Sequence, residues 1–284
     1  MRIVDRSIAL KKLQQEELEI LIEFSKFCER HDLTWFLDSG TALGAARHKG
    51  FIPWDDDIDV GMPRSDYDKF LQFAEFSGGI CSGYSVHTFS NTTNYAAMFA
   101  KIYKEGTVFA TKETIEAGCR QGIFIDVFPY DEMPDDQAYA EKIASQAHKW
   151  QVISYLYHTS ELNPVHAGIL GKVEKMMFWI MHRGLSLFFT RKKILANYGK
   201  IVAQSGDSNR WIAYAYPVLP GFDGEVLFPP KDCEFCCHTF PGPRKMEEYL
   251  SASYGDWRTL PDPADRKTHL PVKLVFSDGS EYVK

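Results

Sequence analysis

The spacing of apolar residues divides the chain into helices and strands. Between residues 10 and 30, apolar side chains recur at helical spacing, which predicts an amphipathic helix: Leu10, Leu13, Leu18, Leu21, Ile22 and Phe27. A second helix is predicted over residues 66–76, capped through Ser65 and Asp68, and a third over 135–157, ended by Asn163 and Pro164. Runs of β-branched and aromatic residues predict strands near residues 34–37, 58–62, 84–89, 97–103, 107–110 and 122–128. The chain is therefore expected to be an α/β (α+β) protein with helices flanking a sheet.

Four aspartates interrupt this pattern: Asp55, Asp56, Asp57 and Asp59. They stand among the apolar residues Trp54, Ile58 and Val60. Asp57 and Asp59 are two residues apart, so on a strand their side chains would project from the same face. Carboxylates held that close repel one another unless they share a proton or a cation. Mg²⁺ relieves such repulsion and prefers oxygen ligands plus a substrate phosphate. The block predicts a metal-dependent phosphate site; the alternative is a solvated acidic turn at residues 53–57.

Small residues just upstream predict a phosphate-binding turn. A short apolar strand ends at Leu37 and is followed by a predicted helix over residues 41–47. We expect Ser39 to be the N-cap of that helix, and Gly40 to let a phosphate approach the free N–H groups at the helix start.

These segments carry a resemblance to a known family. Residues 38–62 closely resemble the LicD family, which includes bacterial phosphocholine transferases and is related to the fukutin group of ribitol-phosphate transferases. Residues 122–131 are similar to the later acidic strand of the family, and residues 254–257, followed by Pro261, are similar to its C-terminal end. The resemblance implies a nucleotidyltransferase-like mixed sheet in a catalytic core over residues 1–135. A helical region and a C-terminal substrate or acceptor subdomain would occupy residues 136–284.

The resemblance also implies a reaction. A CDP-activated donor such as CDP-choline would lose its phospho-alcohol to a hydroxyl of a glycan or lipid-linked glycan, and CMP would leave. Asp57, Asp59 and Asp126 would hold Mg²⁺ (or Mn²⁺) against the diphosphate. Asp126 lies in an otherwise apolar strand, where an unpaired carboxylate is costly, so it is expected to be the third ligand and a general base. Its alternative is a structural acid that caps a helix or pairs with a buried arginine.

Further contacts to the donor phosphates are expected from the residues around this core. Ser39, Gly40 and Thr41 would act through backbone and hydroxyl groups, and Arg47 through a bidentate contact. Lys101 or Lys104 would add positive charge, although each of these cations can equally be an ordinary surface residue. Asp55 and Asp56 would orient the ligands or face solvent, and His48 would pack beside Trp54.

Composition and charge narrow the possible partners and the possible location of the protein. A net charge of −6 disfavours nonspecific nucleic-acid binding. The first residues lack the apolar stretch of a secretory signal, and no uncharged segment approaches the roughly 20 residues of a membrane span. We therefore expect a cytoplasmic protein, with contact to the inner face of the membrane as one option.

A cysteine cluster has metal-ligand spacing: Cys233, Cys236, Cys237 and His238. It is half of a zinc motif at most, because no second cysteine pair follows and three of its members are consecutive. A structural Zn²⁺ and a reduced core strand are the two interpretations.

Residues 165–200 combine apolar and basic side chains. Seven lysines and arginines stand here against the single acid Glu174, interleaved with runs such as residues 176–181. This composition is typical of a helix that lies on an anionic membrane surface. The alternative is a helix packed on the catalytic domain with its basic face toward solvent or nucleotide.

Three functions are thus open. The first is transfer of phosphocholine, or of ribitol or glycerol phosphate, from a CDP-activated donor. The second is a nucleotidyltransferase that places NMP on a sugar or small molecule and releases pyrophosphate. The third is a non-catalytic nucleotide-binding scaffold docked on a membrane.

Overall fold

A mixed sheet forms the centre of the protein. The computed structural model describes residues 3–164, 166–204, 206, 208–216 and 219–284. The strands of this sheet are β1 (Phe36–Leu37), β2 (Asp59–Pro63), β3 (Tyr84–His87), β4 (Ala100–Lys104), β6 (Ile123–Glu132), β7 (Arg210–Ile212) and β8 (Phe222–Asp223). The order is β1-β2-β6-β4-β3, with β7 added at the end of β6 and β8 beside β7. β2 and β6 run parallel, whereas the other pairs are antiparallel.

Helices cover this sheet, which confirms the expected α/β class. They are α1 (Arg6–Arg30), α2 (Ser39–His48), α3 (Arg64–Ser77), α4 (Lys112–Ala117), α5 (Gln137–His158), α6 (Gly168–Phe188), α7 (Arg191–Val202), α8 (Gly224–Leu227) and α9 (Met246–Tyr254). The inward stripe of α1 recurs every three or four residues, as predicted, and packs on β4 and β6: Ala9, Leu13, Glu16, Glu17, Ile20, Leu21, Phe24, Phe27 and Cys28.

Two helix starts differ from their predictions. The N-cap of α2 is Asp38 rather than Ser39, because the Asp38 carboxylate accepts the Ser39 N–H and the helix already includes Ser39. α3 begins at Arg64, directly after Pro63, and no side chain caps it, so the cap predicted from Ser65 and Asp68 is wrong.

Smaller sheets complete the fold. β5 (Val108–Ala110) pairs with β11 (Lys273–Val275), and β11 pairs with β12 (Glu281–Val283). β9 (Lys231–Phe235) and β10 (His238–Gly242) form an antiparallel hairpin. Strand β6 continues four residues beyond its predicted end, to Glu132, because β7 extends the pairing there. In the described part of the chain, every helix is too short or too polar to cross a membrane.

Candidate active site

Three charged side chains form a row across the middle of the sheet. Asp59 on β2 is in register with Asp126 on the parallel strand β6, and Asp126 is in register with Lys101 on β4. The Lys101 ammonium lies 2.5 Å from Asp126 Oδ1 and 3.4 Å from the centre of the Phe124 ring. Residues in register on neighbouring strands point to the same face. The structure thus brings together three of the residues proposed from the sequence.

Asp57 joins this row from the segment that precedes β2. Since β2 begins only at Asp59, the two acids do not alternate along one strand as predicted. They are nevertheless close enough in space for the negative charge of Asp57 to help raise the pKa of Asp59, after the larger effect of burial. Burial, followed by the charges of Asp57 and Asp56, raises the pKa of Asp55 to about 8. Burial also raises the pKa of Asp126 to about 6, against the lowering effect of Lys101. Because these carboxylates are buried and repel one another, the cluster binds protons readily.

Asp56 bonds to the C-terminal part of the chain. It is buried, and its Oδ1 accepts the backbone N–H of His269 at 3.1 Å. Asp56 therefore ties the acidic segment to the C-terminal part of the chain, and the alternative of a solvent-facing Asp56 is wrong.

Glu17 is an acid of this region that the sequence reasoning missed. It lies on α1 and is fully buried, and within the part of the chain that the structure describes neither carboxylate oxygen has a hydrogen-bond partner. Burial, and then the charges of Asp57, Asp56, Asp55 and Asp126, hold the pKa of Glu17 well above its ordinary value. The signal was available, because Glu17 sits within the apolar stripe of α1, where an acid is out of place.

Asp38 is also buried, but its environment is different. Its carboxylate accepts hydrogen bonds from the Ser39 N–H, from the Tyr130 hydroxyl at 2.9 Å and from the Tyr249 hydroxyl. These donors offset part of the burial that raises its pKa. Tyr249 belongs to α9, so this contact fastens the C-terminal part of the chain to the start of α2.

Of the residues proposed for phosphate contacts, those on α2 lie at the two ends of that helix. Ser39 is buried and its N–H also donates to Tyr249, while the Thr41 hydroxyl accepts the Asp59 N–H at 2.8 Å. Thr41 therefore positions Asp59. A side chain at Gly40 would approach within 3.0 Å of an Asp55 carboxylate oxygen, so glycine keeps that approach open.

Arg47 lies in the last turn of α2, about 12 Å along the helix axis from Ser39. It donates to the Trp257 carbonyl at 3.0 Å and to His48. Lys104 pairs with Glu19 and Glu16 of α1, at 2.5 and 3.6 Å. The expected contact between His48 and Trp54 is present, with ring centres 6.3 Å apart.

Two partly exposed tyrosines lie beside the acids. Burial, followed by the charges of Asp59 and Asp57, raises the pKa of Tyr216. Tyr254 is close to Asp38, Asp59, Asp55 and to Tyr216, whose charges add to the effect of burial on its pKa. Tyr216 also packs on Phe128, at 5.3 Å between ring centres. Aromatic rings therefore border the carboxylates on one side.

The donor chemistry of this cluster suits a hard divalent cation. Asp57, Asp59 and Asp126 offer only carboxylate oxygens, and a cation would offset both the burial that raises the three pKa values and the repulsion that raises those of Asp59 and Asp126 further. In the described parts of the chain, no group of three or more His, Cys, Asp or Glu side chains is arranged to hold a metal as it stands. The carboxylates would thus have to draw together around an ion.

The cysteine cluster forms the turn of the β9–β10 hairpin. Cys236 and Cys237 are the two linking residues and have φ values of 50° and 62°, as a two-residue type I′ turn requires. Cys233 lies on β9 and donates to the Phe240 carbonyl, while His238 begins β10. A structural Zn²⁺ here stays a prediction; the hairpin itself is held by its backbone pairing.

Acids on two adjacent parallel strands of a mixed sheet, with a helix that starts beside them, are the arrangement expected of a nucleotidyltransferase-like enzyme. Residues 32–166 match the family model described as LicD/FKTN/FKRP, nucleotidyltransferase domain. This segment is a domain of the LicD family, which confirms the resemblance identified from the sequence.

Similar proteins agree with this assignment. The chain is 29% identical to the lipopolysaccharide cholinephosphotransferase LicD of Haemophilus influenzae, over 93% of this chain and 97% of that protein. Shorter segments are 34% identical to uncharacterized proteins of Rickettsia typhi and Rickettsia prowazekii, over 24% and 22% of this chain and 19% and 20% of those proteins. The matched domain and the Haemophilus relative together confirm the expectation of a phosphotransferase.

Proposed function

We propose that this protein transfers phosphocholine, or a closely related phospho-alcohol, from a CDP-activated donor to a hydroxyl of a cell-surface glycan and releases CMP. The observation that carries the proposal is the row of Asp59, Asp126 and Lys101 across three strands, joined by Asp57. The name of the Haemophilus relative supports choline as the alcohol and lipopolysaccharide as the type of acceptor.

The transfer balances as a single displacement at phosphorus. The acceptor hydroxyl oxygen forms a bond to the phosphorus that bears choline, and the bond from that phosphorus to the bridging oxygen breaks. CMP leaves with the electron pair. Asp126 Oδ2 takes the hydroxyl proton, since Oδ1 is held by Lys101, and a pKa of about 6 lets this carboxylate act as a base near neutral pH. Lys101 keeps it oriented.

A divalent cation is the proposed cofactor. Asp57 and Asp59 would hold Mg²⁺ or Mn²⁺, with Asp126 as a further oxygen donor. When bound, the cation would neutralise negative charge on the diphosphate and on the leaving CMP. Thr41 supports this role because its hydroxyl fixes the backbone of Asp59. Ser39 and Gly40 would bring the start of α2 toward the phosphates.

The aromatic side chains beside the acids are proposed to bind the choline head group. A quaternary ammonium is attracted to aromatic faces, and Tyr216 and Tyr254 are partly exposed and lie next to the carboxylates. A polyol such as ribitol would gain less from the same surroundings.

The test is CMP release from CDP-choline in the presence of Mg²⁺ and a panel of glycan acceptors. We expect acceptor-dependent release by the wild-type protein and loss of at least 100-fold in Asp57→Asn, because a ligand to the cation is removed. Asp135→Asn is the matched control, since Asp135 is exposed and follows the end of β6, outside the row of acids. It should retain wild-type activity.

The products separate the remaining alternatives. Release of CMP from CDP-ribitol or CDP-glycerol, but not from CDP-choline, would keep the mechanism and change the alcohol. Pyrophosphate released from a nucleoside triphosphate would instead support the nucleotidyltransferase. Full activity of Asp57→Asn in the presence of a chelator would refute the proposed metal site.

A further inference from the structure

Helix α6 presents a large apolar surface away from the rest of the protein. Ten of its large apolar side chains are exposed: Ile169, Leu170, Val173, Met176, Met177, Trp179, Ile180, Met181, Leu187 and Phe188. Ile180, in the middle of the set, is 54% exposed. Within α6 only Gly171 is fully buried. Scattered apolar residues are normal on a surface, but a contiguous patch of this size indicates a binding face.

The arrangement around the helix axis is ordered. With 3.6 residues per turn, all the exposed apolar residues except Trp179 fall within an arc of about 140°. The opposite side packs against α5, where His182 bonds to the Leu156 carbonyl. A Cβ at Gly171 would lie 2.2 Å from the His166 carbonyl oxygen, so the segment before α6 packs closely on the helix there. The apolar arc therefore faces outward.

Basic residues border one edge of that arc. Lys172 and Arg183 are exposed and lie within about 40° of this edge, and the Arg183 guanidinium lies 5.2 Å from the Trp179 ring. The acid of the helix, Glu174, lies beyond the other edge of the arc and binds His166 at 2.5 Å. Lys192 and Lys193, at the start of α7, add exposed positive charge. The outward surface is thus apolar and cationic, although the whole chain carries a net charge of −6.

We propose that α6 lies in the surface of a membrane that contains anionic lipids. Its apolar arc would enter the boundary between headgroups and acyl chains, while Lys172 and Arg183 would contact lipid phosphates. A second copy of this chain is a poorer partner, because a two-fold contact through the same patch would bring the basic edges toward one another. The inference rests on α6 alone and not on the proposed reaction.

The position of α6 connects such docking to the active site. His182 of α6 bonds to the Leu156 carbonyl of α5 at 2.9 Å. For the preceding residue of α5, Tyr155, burial and then the charge of Asp126 raise the pKa. One helix therefore separates the outward surface from the carboxylates, so an acceptor embedded in the same membrane would be within reach of the site.

The experiment is sedimentation of the full-length protein with vesicles of phosphatidylcholine alone or mixed with phosphatidylglycerol. We expect binding about tenfold tighter or more to the mixed vesicles, because two basic residues of α6 contact the anionic surface, and release at high salt. Ile180→Glu should abolish binding by placing a charge in the apolar arc. Phe76→Glu is the matched control: Phe76 is 95% exposed but lies on α3, and its change should leave binding intact.

A double variant, Lys172→Glu with Arg183→Glu, tests the charge separately and should remove the preference for anionic lipid. Circular dichroism would establish that each variant is folded. Equal binding by Ile180→Glu and the wild type would overturn the proposal, as would absence of vesicle binding by the folded wild-type protein. A wild-type dimer that Ile180→Glu converts to a monomer, without vesicle binding, would assign α6 to self-association instead.

Discussion

Glu17 provides a direct test of whether the acids of the site repel one another in the metal-free protein. Replacing Glu17 with glutamine keeps the shape of the side chain and removes its charge. Because neither carboxylate oxygen has a hydrogen-bond partner and four aspartates lie nearby, the charge has only unfavourable interactions. We expect Glu17→Gln to be more stable than the wild type at alkaline pH in the presence of a chelator.

The size of the effect is set by the removed charge, because glutamine is a polar side chain of the same shape. Each tenfold difference in proton affinity between the folded and the unfolded state is worth about 1.4 kcal/mol, and we expect a gain of about 1–3 kcal/mol at alkaline pH. For 284 residues, the entropy of unfolding is about 0.6 kcal/mol/K near the midpoint, so Tm should rise by about 2–5 °C. The sign of the pH dependence is fixed by the raised pKa of Glu17. The folded state binds a proton that the unfolded state releases, so the wild type loses stability as pH rises above the unfolded value of 4.5. The advantage of Glu17→Gln should therefore grow with pH.

The assay is thermal unfolding followed by circular dichroism at about pH 6 and about pH 8.5. Glu16→Gln is the matched control, because the neighbouring Glu16 accepts two hydrogen bonds from Ser277 and lies 3.6 Å from Lys104. It should show no gain. A lower Tm for Glu17→Gln than for the wild type, or a gain that does not change with pH, would refute the reasoning.

Three further changes test other parts of the structure. Asp131→Asn breaks a two-point ion pair with Arg64, at 2.7 and 2.9 Å, and should cost at most about 3–5 kcal/mol because Arg64 remains 31% exposed; urea unfolding measures this, and an unchanged midpoint would contradict it. Tyr249→Phe removes a donor to Asp38 and should lower stability by about 1–3 kcal/mol in the same assay; a gain would show that the contact is strained. Tyr216→Ala should raise KM for CDP-choline about 2- to 30-fold, as expected for loss of a cation–π contact, and should change KM for a CDP-polyol less. Equal effects on both donors would place the head group elsewhere.

Local sequence was enough to identify the strands that carry the acids. Asp126 stands out because the residues around it on β6 are apolar and buried, and Asp59 because it opens a buried strand. Their meeting depends on the parallel pairing of β2 with β6, which no local pattern specifies. The strand argument for Asp57 was wrong in detail for the same reason, since pairing decides where β2 begins.

Contacts between distant residues were beyond the reach of the sequence. The Asp38 carboxylate accepts hydrogen bonds from the hydroxyl groups of Tyr130 and Tyr249, which lie 92 and 211 positions away along the chain. The sequence around neither tyrosine indicates this role. Ser39 is not the cap of α2, because the carboxylate of Asp38 already accepts the Ser39 N–H. Glu17 differs, because an acid within the apolar stripe of a helix is visible in the sequence once every position of the stripe is inspected.

The hydrogen bonding of the buried acids separates structural residues from residues of the site. Asp38 is surrounded by donors, and Asp131 is held at both oxygens by Arg64; such carboxylates fasten elements together. Among the residues that the structure describes, Glu17 has no donor, and the pKa values of Asp57 and Asp59 are raised above the ordinary carboxyl range, first by burial. A buried negative charge persists in a fold only when something compensates for it. Lys101 supplies one positive charge beside Asp126 and lowers the pKa of Asp57, but one lysine does not balance Glu17, Asp57, Asp59 and Asp126. The remaining compensation has to come from a bound cation or from protons.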